Sequence, residues 1–408
     1  MNELDLATLV RAQLEILGLL DADVEIIALG KAAGEMAEAV CIALGDQVRQ
    51  GFVVVDDDVD VTTLAIPRCE VMVGQHPLPG NKSLATGRRL IDFLEQSDGR
   101  AVTVFLISGG ASSLCAVPQT PVGLDDLASI WRGALANAVD ITRLNQLRAL
   151  TSGIAGGRVL RHVRSTRSVS LIMVDNVVSG PSWVASGLTY EYQPPPDEVL
   201  GLLEDVGLSN SDVGQRVMQA YEERSRTMTA LSSAHRNVVV AEPSMMYGLA
   251  AHEAVTRGYR VIDMGQDVQG DVTDVVDRWA SVIEREVSGG DPFCLLGVGE
   301  VTVKVVGEGL GGRCQDFAWR MALVLERVGR SGVFVARSSD GRDHLAGVSG
   351  AWSDASTRER CSQEGLSFEE LVETNSSFVG HHALGQLLVG GHSGWNLCDV
   401  YVATFDAP

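Results

Sequence analysis

The chain has 408 residues, 45% of them apolar, and a formal net charge of −21. That length suits two domains with large cores, and so acidic a balance argues against nucleic acid or an anionic membrane as a partner. The start MNELDLATLV lacks the basic region and apolar core of a secretory signal, and no apolar run is long enough for a membrane span. The seven cysteines lie without C-x-x-C spacing, which fits reduced thiols in a cytoplasmic protein and argues against zinc.

Leu6, Leu9, Val10, Leu14 and Leu17 share one face of a helix predicted over 4–20. The apolar run Val24–Leu29 reads as a buried strand ending at Gly30-Lys31-Ala32-Ala33-Gly34, with a helix to follow. A lysine at such a turn is placed to meet an anion at the helix start; the alternative is an exposed lysine on a first helical turn, and Walker A spacing is absent. A strand over 51–55 runs into Asp56, Asp57, Asp58 and Asp60, a solvated loop rather than a metal cluster because adjacent side chains diverge. Another strand, 71–73, leads to His76 and a helix over 81–95. His76 at a strand end is a catalytic candidate, with a structural turn histidine as the alternative. The strand 101–107 stops at a glycine–serine turn. There the backbone N–H groups and hydroxyls of Ser108, Gly109, Gly110 and Ser112 suit a phosphate or carboxylate.

A long helical stretch, 124–140, precedes a segment, 141–174, that has no Asp or Glu but contains Arg143, Arg148, Arg158, Arg161, Arg164, Arg167 and His162. Such an island either holds an anionic substrate or pairs with acidic neighbours on a solvated face. Strand 170–174 ends at Asp175-Asn176, and a loop through Ala185-Ser186-Gly187 is placed to cover a site. The polar stretch 222–236 marks a domain boundary, giving 1–230 and 231–408. Beyond it strands at 237–241, 261–264, 294–296, 332–337 and 400–404 alternate with helices at 244–257 and 272–286. That alternation argues for α/β architecture with parallel sheets and ligands at the carboxyl ends of strands.

The richest stretch of this half is VTVKVVGEGLGGRCQD, from Val301 to Asp316. A β-branched run reads as strand through Val306, Gly307, Gly309, Gly311 and Gly312 as a turn, and 314–328 as a helix with Phe317, Met321, Val324, Leu325 and Val328 near one face. A turn of this kind offers N–H groups to an anion, and Arg313 adds a forked cation. Gly307, Gly309 and Gly312 also spell G-x-G-x-x-G, a weak dinucleotide signal in a chain with 44 glycines. Asp340 and Asp343 follow strand 332–337, where carboxylates suit Mg²⁺ or a substrate hydroxyl, or else hold their own turn.

Taken in order, these motifs resemble the class II glycerate 2-kinase family, whose C-terminal part is the MOFRL domain. The matching segments are Ala28-Leu-Gly-Lys31-Ala32, Gln75-His76-Pro77, Ile107-Ser-Gly-Gly110, Asn145 to Arg158, Ala185-Ser186-Gly187, Gly299-Glu300-Val-Thr302, Gly309 to Arg313 with Gln315, Asp340-Gly-Arg-Asp343 and Gly391 to Asp399. The resemblance implies a Rossmann-like N-terminal domain with a parallel sheet, a smaller α/β MOFRL-like C-terminal domain, and an active site in the interdomain cleft. It implies ATP- and Mg²⁺-dependent phosphorylation of the 2-hydroxyl of D-glycerate or a related hydroxy acid; a homodimer is compatible with it. Under it Lys31, Arg313 and Asp340 would be catalytic. Ser108, Gly109, Gly110, Ser112, Gly309, Gly311 and Gly312 would hold phosphate. His76, Asn145, Arg148, Arg158 and Ser186 would hold substrate, and Glu300 and Asp175 the metal.

The sequence also departs from the family pattern. Arg-Lys-x-Leu-Ser-x-Ile-Lys-Gly-Gly reads Arg148-Ala149-Leu-Thr-Ser-Gly-Ile-Ala155-Gly-Gly157, without either lysine. Ser-Asp-Val-x-Gly-Asp loses its second aspartate at Ser179-Gly180, Gly-Gly-Arg-Asn-Gln-Glu becomes Gly311 to Asp316 with Cys314, and Thr-Gly-Pro-Thr reads Gly390-Gly-His392-Ser393. The arginine island is expected to stand in for the lysines. A kinase-fold protein that binds nucleotide or ligand without phosphoryl transfer is the alternative function, and a nicotinamide-dependent oxidoreductase ranks third.

Overall fold

A computed structural model describes residues 5–175, 180–227, 235–391, 393 and 395–407. Asn176, Ser179, His392 and part of the polar stretch 222–236 lie outside the described residues. The chain divides into two compact units, the first comprising residues 5–174 and 180–241, the second Asp175 and 242–407.

In the first unit, helix α1 (Leu6–Ile16) leads to strand β1 (Val24–Leu29), α2 (Ala33–Leu44), β2 (Val48–Val55), β3 (Cys69–Val73), α3 (Asn81–Gln96), β4 (Val102–Ile107) and the single turn α4 (Ala111–Leu114). Then come α5 (Leu124–Ala136), α6 (Ile141–Thr151), β5 (Ser168–Met173), α7 (Pro196–Asp205), α8 (Asp212–Thr227) and β6 (His235–Ala241). The six strands are all parallel, in the order β3-β2-β1-β4-β5-β6. Every residue of β1 and β5 is buried, as expected for central parallel strands covered on both faces. The chain runs outward from β1 to β3, then returns to place β4 beside β1, so the loops after these two strands diverge and leave a crevice at their carboxyl ends. The unit continues past the polar stretch to Ala241 because β6 completes this sheet.

The predicted helix over 124–140 is two helices. Ala138 has φ 50°, and Asp140 caps the second by accepting from the backbone N–H of Thr142 and Arg143. Helices α5, α6, α7 and α8 pack around Leu147, Leu150, Leu202, Val206 and Val217, a core separate from that of the sheet.

The second unit holds α9 (Pro243–Thr256), β7 (Arg260–Asp263), β8 (Val268–Asp271), α10 (Val272–Glu286), β9 (Phe293–Thr302), α11 (Arg313–Val328), β10 (Gly332–Ser338) and β11 (Val348–Asp354). It ends with α12 (Thr357–Gln363), α13 (Phe368–Glu373), α14 (Ser377–Leu384), β12 (Leu387–Val389) and β13 (Asp399–Phe405). Its sheet, ordered β12-β11-β10-β13-β9-β7 with β8 also on β9, is mixed rather than parallel. The β9–α11–β10 alternation does give two strands of the same direction. The C-terminal β13 inserts between them, antiparallel to both, and β11 turns back on β10. The predicted strand through Val306 also stops short, at Thr302. That residue pairs with Asp271, the last of β8, and beyond it Val305 and Val306 are exposed. Trp279, Phe317, Phe334 and Tyr401 meet edge to face or tilted in the core of this unit.

Candidate active site

In the first unit the crevice at the carboxyl ends of β1 and β4 brings Lys31 together with Ser108, Gly109 and Gly110. The Lys31 N–H donates to the Gly109 carbonyl at 2.9 Å, and the Ala32 N–H donates to Ser108 Oγ at 3.0 Å. Gly30 permits this contact: at φ +125° its backbone lies so close that a Cβ would sit 2.3 Å from Ser108 Oγ. The Lys31 side chain is exposed. Gly110, at φ +85°, lies against both the Lys31 stem and the His76 ring, since a Cβ there would be 3.2 Å from Lys31 Cγ and 3.3 Å from His76 Cδ2. His76 Nδ1 is 3.9 Å from Asp56 Oδ2, so the end of β2 adds a carboxylate to this edge, whereas Asp57, Asp58 and Asp60 are exposed.

A second group adjoins the first. Ser112 Oγ lies 2.8 Å from Ser186 Oγ, and Ser186 Oγ donates to Asn145 Oδ1 at 3.2 Å. Ala185 and Ser186 both hold positive φ, at 54° and 53°, a conformation that costs about 1–3 kcal/mol per residue without glycine. Arg148 Nη1 reaches Asn145 Oδ1 only at 3.5 Å, and its guanidinium lies 4.8 Å from the centre of the Trp131 ring. Burial pushes its pKa down to about 10. Ser112, Arg148 and Trp131 line one pocket whose remaining walls are mostly apolar.

Arg158 lies apart from this pocket. It donates to Gln119 Oε1, its Nε and Nη1 are buried without a partner, and burial with the nearby Arg161 charge lowers its pKa to about 10. Elsewhere the island pairs with neighbours: Arg143 with Asp205, His162 with Glu95. The guanidinium that enters the Ala149–Gly157 loop comes from outside the island. Wholly buried Arg224 donates to the carbonyls of Ala149, Gly156 and Tyr192. Sequence reading missed it because Arg224 sits in a polar stretch with no motif around it.

In the second unit Arg313, the first residue of α11, is held by two carboxylates. Nε and Nη2 donate to Asp399 at 2.6 and 2.9 Å, and Nη1 to Glu300 at 2.8 Å. Burial alone would lower the Arg313 pKa, but the hydrogen bond to Asp399 and the charges of Asp399 and Glu300 outweigh it and raise it. Asp399 is fully buried and also accepts from Tyr401 Oη at 3.0 Å. Its signal in the sequence was an acid opening an otherwise apolar strand. Burial raises the Glu300 pKa; Arg313 opposes this, while Asp399, Asp175 and Asp340 add to it. Two carboxylates, Asp399 and Glu300, thus hold the guanidinium, and the charges of Asp175 and Asp340 also reach Glu300. Among the described residues, no three His, Cys, Asp or Glu side chains already stand at ligand spacing. Asp340 Oδ1 accepts from Ser338 Oγ and the Arg342 N–H, both at 2.8 Å.

The glycine turn before α11 is filled by the protein itself. A Cβ at Gly307 or Gly309 would strike Thr374 or Ser376, one at Gly311 the Ser377 hydroxyl, and one at Gly312 the Asp343 carboxylate. Asp343 also accepts from the N–H groups of Cys314 and Gln315, at 3.1 and 2.9 Å. The helix start predicted to present free N–H groups is therefore capped from within.

The model of a domain of unknown function, DUF4147, matches residues 6–222, and that of the MOFRL family matches 293–399. The chain belongs to the class II glycerate kinase family. A D-glycerate 2-kinase of Thermotoga maritima is 27% identical, over 96% of this chain and 93% of its own. The Pyrococcus horikoshii glycerate 2-kinase is 26% identical over 93% and 87%. An Agrobacterium vitis protein carrying the provisional name hydroxypyruvate reductase is 27% identical over 92% and 97%. The crystal structure of a Thermotoga maritima glycerate kinase superposes with a TM-score of 0.86 at 25% identity, covering 98% of this chain and 95% of that one. Against the family pattern, Ala149 and Ala155 are buried where lysines are usual, and Ala155 forms part of the pocket wall.

Proposed function

We propose that this protein is a kinase that transfers the γ-phosphoryl group of ATP to the hydroxyl of D-glycerate or a related 2-hydroxy acid. The observation that carries it is the joining of Lys31 to Ser108–Gly110 at the crevice between β1 and β4, in a chain with several relatives named glycerate kinase. Phosphoryl transfer asks a protein mainly for positioning and for charge near the phosphoryl oxygens. Lys31 supplies a cation there, with Ser108, Gly109, Gly110 and Ser112 as neighbouring donors. Arg148, Asn145 and Ser186 seat the acid, and His76, against Gly110, joins them as a substrate ligand; Arg158, with two buried unpaired nitrogens, offers a further cation.

Mg·ATP supplies the electrophilic phosphorus and shares its charge with the metal when bound. Glu300 and Asp175 would hold that metal, since the charges of Asp399, Asp175 and Asp340 all act on Glu300 and a cation there would offset them. Asp340 would orient the attacking hydroxyl. Arg313 spends three N–H groups on Asp399 and Glu300, and one on each terminal nitrogen remains for a phosphoryl oxygen. Gly309, Gly311 and Gly312 contribute by fixing where Arg313 begins its helix.

Incubation with Mg·ATP and D-glycerate, followed for ADP and phosphoglycerate, tests the proposal. Product is expected, and its absence with every 2-hydroxy acid would overturn the proposal. The second function, ligand binding without transfer, is favoured by the alanines at 149 and 155; it predicts ATP binding by calorimetry and no product. A dinucleotide oxidoreductase is disfavoured, because the faces of Gly307, Gly309 and Gly312 are occupied by residues 374–376 and Asp343.

A further inference from the structure

We infer that the substrate of this kinase is a 2-hydroxy acid bearing an apolar substituent, its carboxylate on Arg148 and its side chain in the pocket beside Trp131; the inference rests on the kinase reading above. Among the described residues, Arg148 is the only charged one lining that pocket. It forms no ion pair among them, and its side-chain hydrogen bond is the long 3.5 Å contact to Asn145. A guanidinium with lowered pKa in an apolar wall favours an anion that arrives with its own apolar surface.

The walls decide what that surface is. Leu127, Ile130, Trp131, Leu144, Ile154 and Ala155 line the space. The four hydroxyls on its wall are tied into the protein, each keeping part of its hydrogen-bonding capacity. Ser113 donates to the Pro77 carbonyl, Thr151 to the Leu147 carbonyl, Ser112 shares a hydrogen bond with Ser186, and Ser152 accepts from the N–H groups of Ile154 and Ala155. A hydroxymethyl group such as glycerate carries would compete with these internal hydrogen bonds, whereas each methylene of an alkyl group gains roughly fourfold in affinity. Ala155, where the family has lysine, widens the apolar wall and removes a competing cation.

The test measures kcat/KM with Mg·ATP, and binding by calorimetry, for D-glycerate, lactate, 2-hydroxybutyrate, 2-hydroxyisocaproate and 3-phenyllactate. The expected result is a rise of roughly fourfold per added methylene, with the longer acids exceeding D-glycerate. Ala155→Leu should weaken the longest acids most, and Arg148→Met should lose binding of every acid. Should Arg148→Met fail to fold, Arg148→Lys carries the same test, because it keeps the charge and loses the fork. Preference for D-glycerate, with chain extension neutral or harmful, overturns the inference and leaves the kinase standing. Binding of the apolar acids through Arg148 without any turnover supports the pocket assignment and overturns the kinase. Failure of every acid to bind overturns the inference.

Discussion

Lys31 and Asp399 show two ways a charge enters a site. Lys31 is exposed and packs little, so Lys31→Ala should leave urea-induced unfolding within about 0.5 kcal/mol of the parent. Turnover should fall about 10²–10³-fold, as when one stabilising donor is removed from a transition state. Wild-type turnover would remove it from the chemistry. Asp399 is fully buried and pairs with Arg313 through two hydrogen bonds. Asp399→Asn leaves the guanidinium short of a charge, and a loss of about 3 kcal/mol is expected in the same unfolding measurement. Lys31 was visible in the sequence because a turn after an apolar strand is a local pattern. The Asp399 partnership was not, since 86 residues separate it from Arg313.

At the scale of elements, α11 organises the second unit. Asp343 caps its first N–H groups, and buried His381 of α14 donates from Nε2 to the Gln315 carbonyl at 3.0 Å. Burial lowers the His381 pKa from 6.5 to about 4. Between these values the unfolded chain takes up a proton that the folded protein refuses, so stability is full above about pH 6.5 and falls as pH drops toward 4. The full loss is about 3 kcal/mol. His381→Gln should flatten that acid limb in denaturation curves taken across the window; an unchanged limb would exclude His381 as its source. The helix itself was legible from its apolar face, predicted as 314–328 and found as Arg313–Val328. Its cap was hidden because Asp343 comes from a later turn.

At the scale of the molecule, a net charge of −21 repels itself. Raising ionic strength from about 0.01 M to about 0.15 M shortens the screening length from roughly 30 Å to roughly 8 Å. The melting temperature should therefore rise, the weak exposed ion pairs losing less than the relieved repulsion gains. A fall in melting temperature would show that those pairs dominate. The order of strands and helices in the first unit followed from apolar runs punctuated by glycine, because buried parallel strands must be apolar along their whole length. The turns at Lys31 and Ser108 followed for the same local reason, as did their place at strand ends. Composition and motif order were enough to indicate the family. Pairing between distant strands decided the rest. The insertion of β13 between β9 and β10 made the second sheet mixed, Thr374 to Ser377 filled the glycine turn, and Trp131 came beneath Arg148. A sequence carries local propensity and periodicity at short range, whereas a contact between distant segments depends on how whole elements pack, which no single stretch encodes.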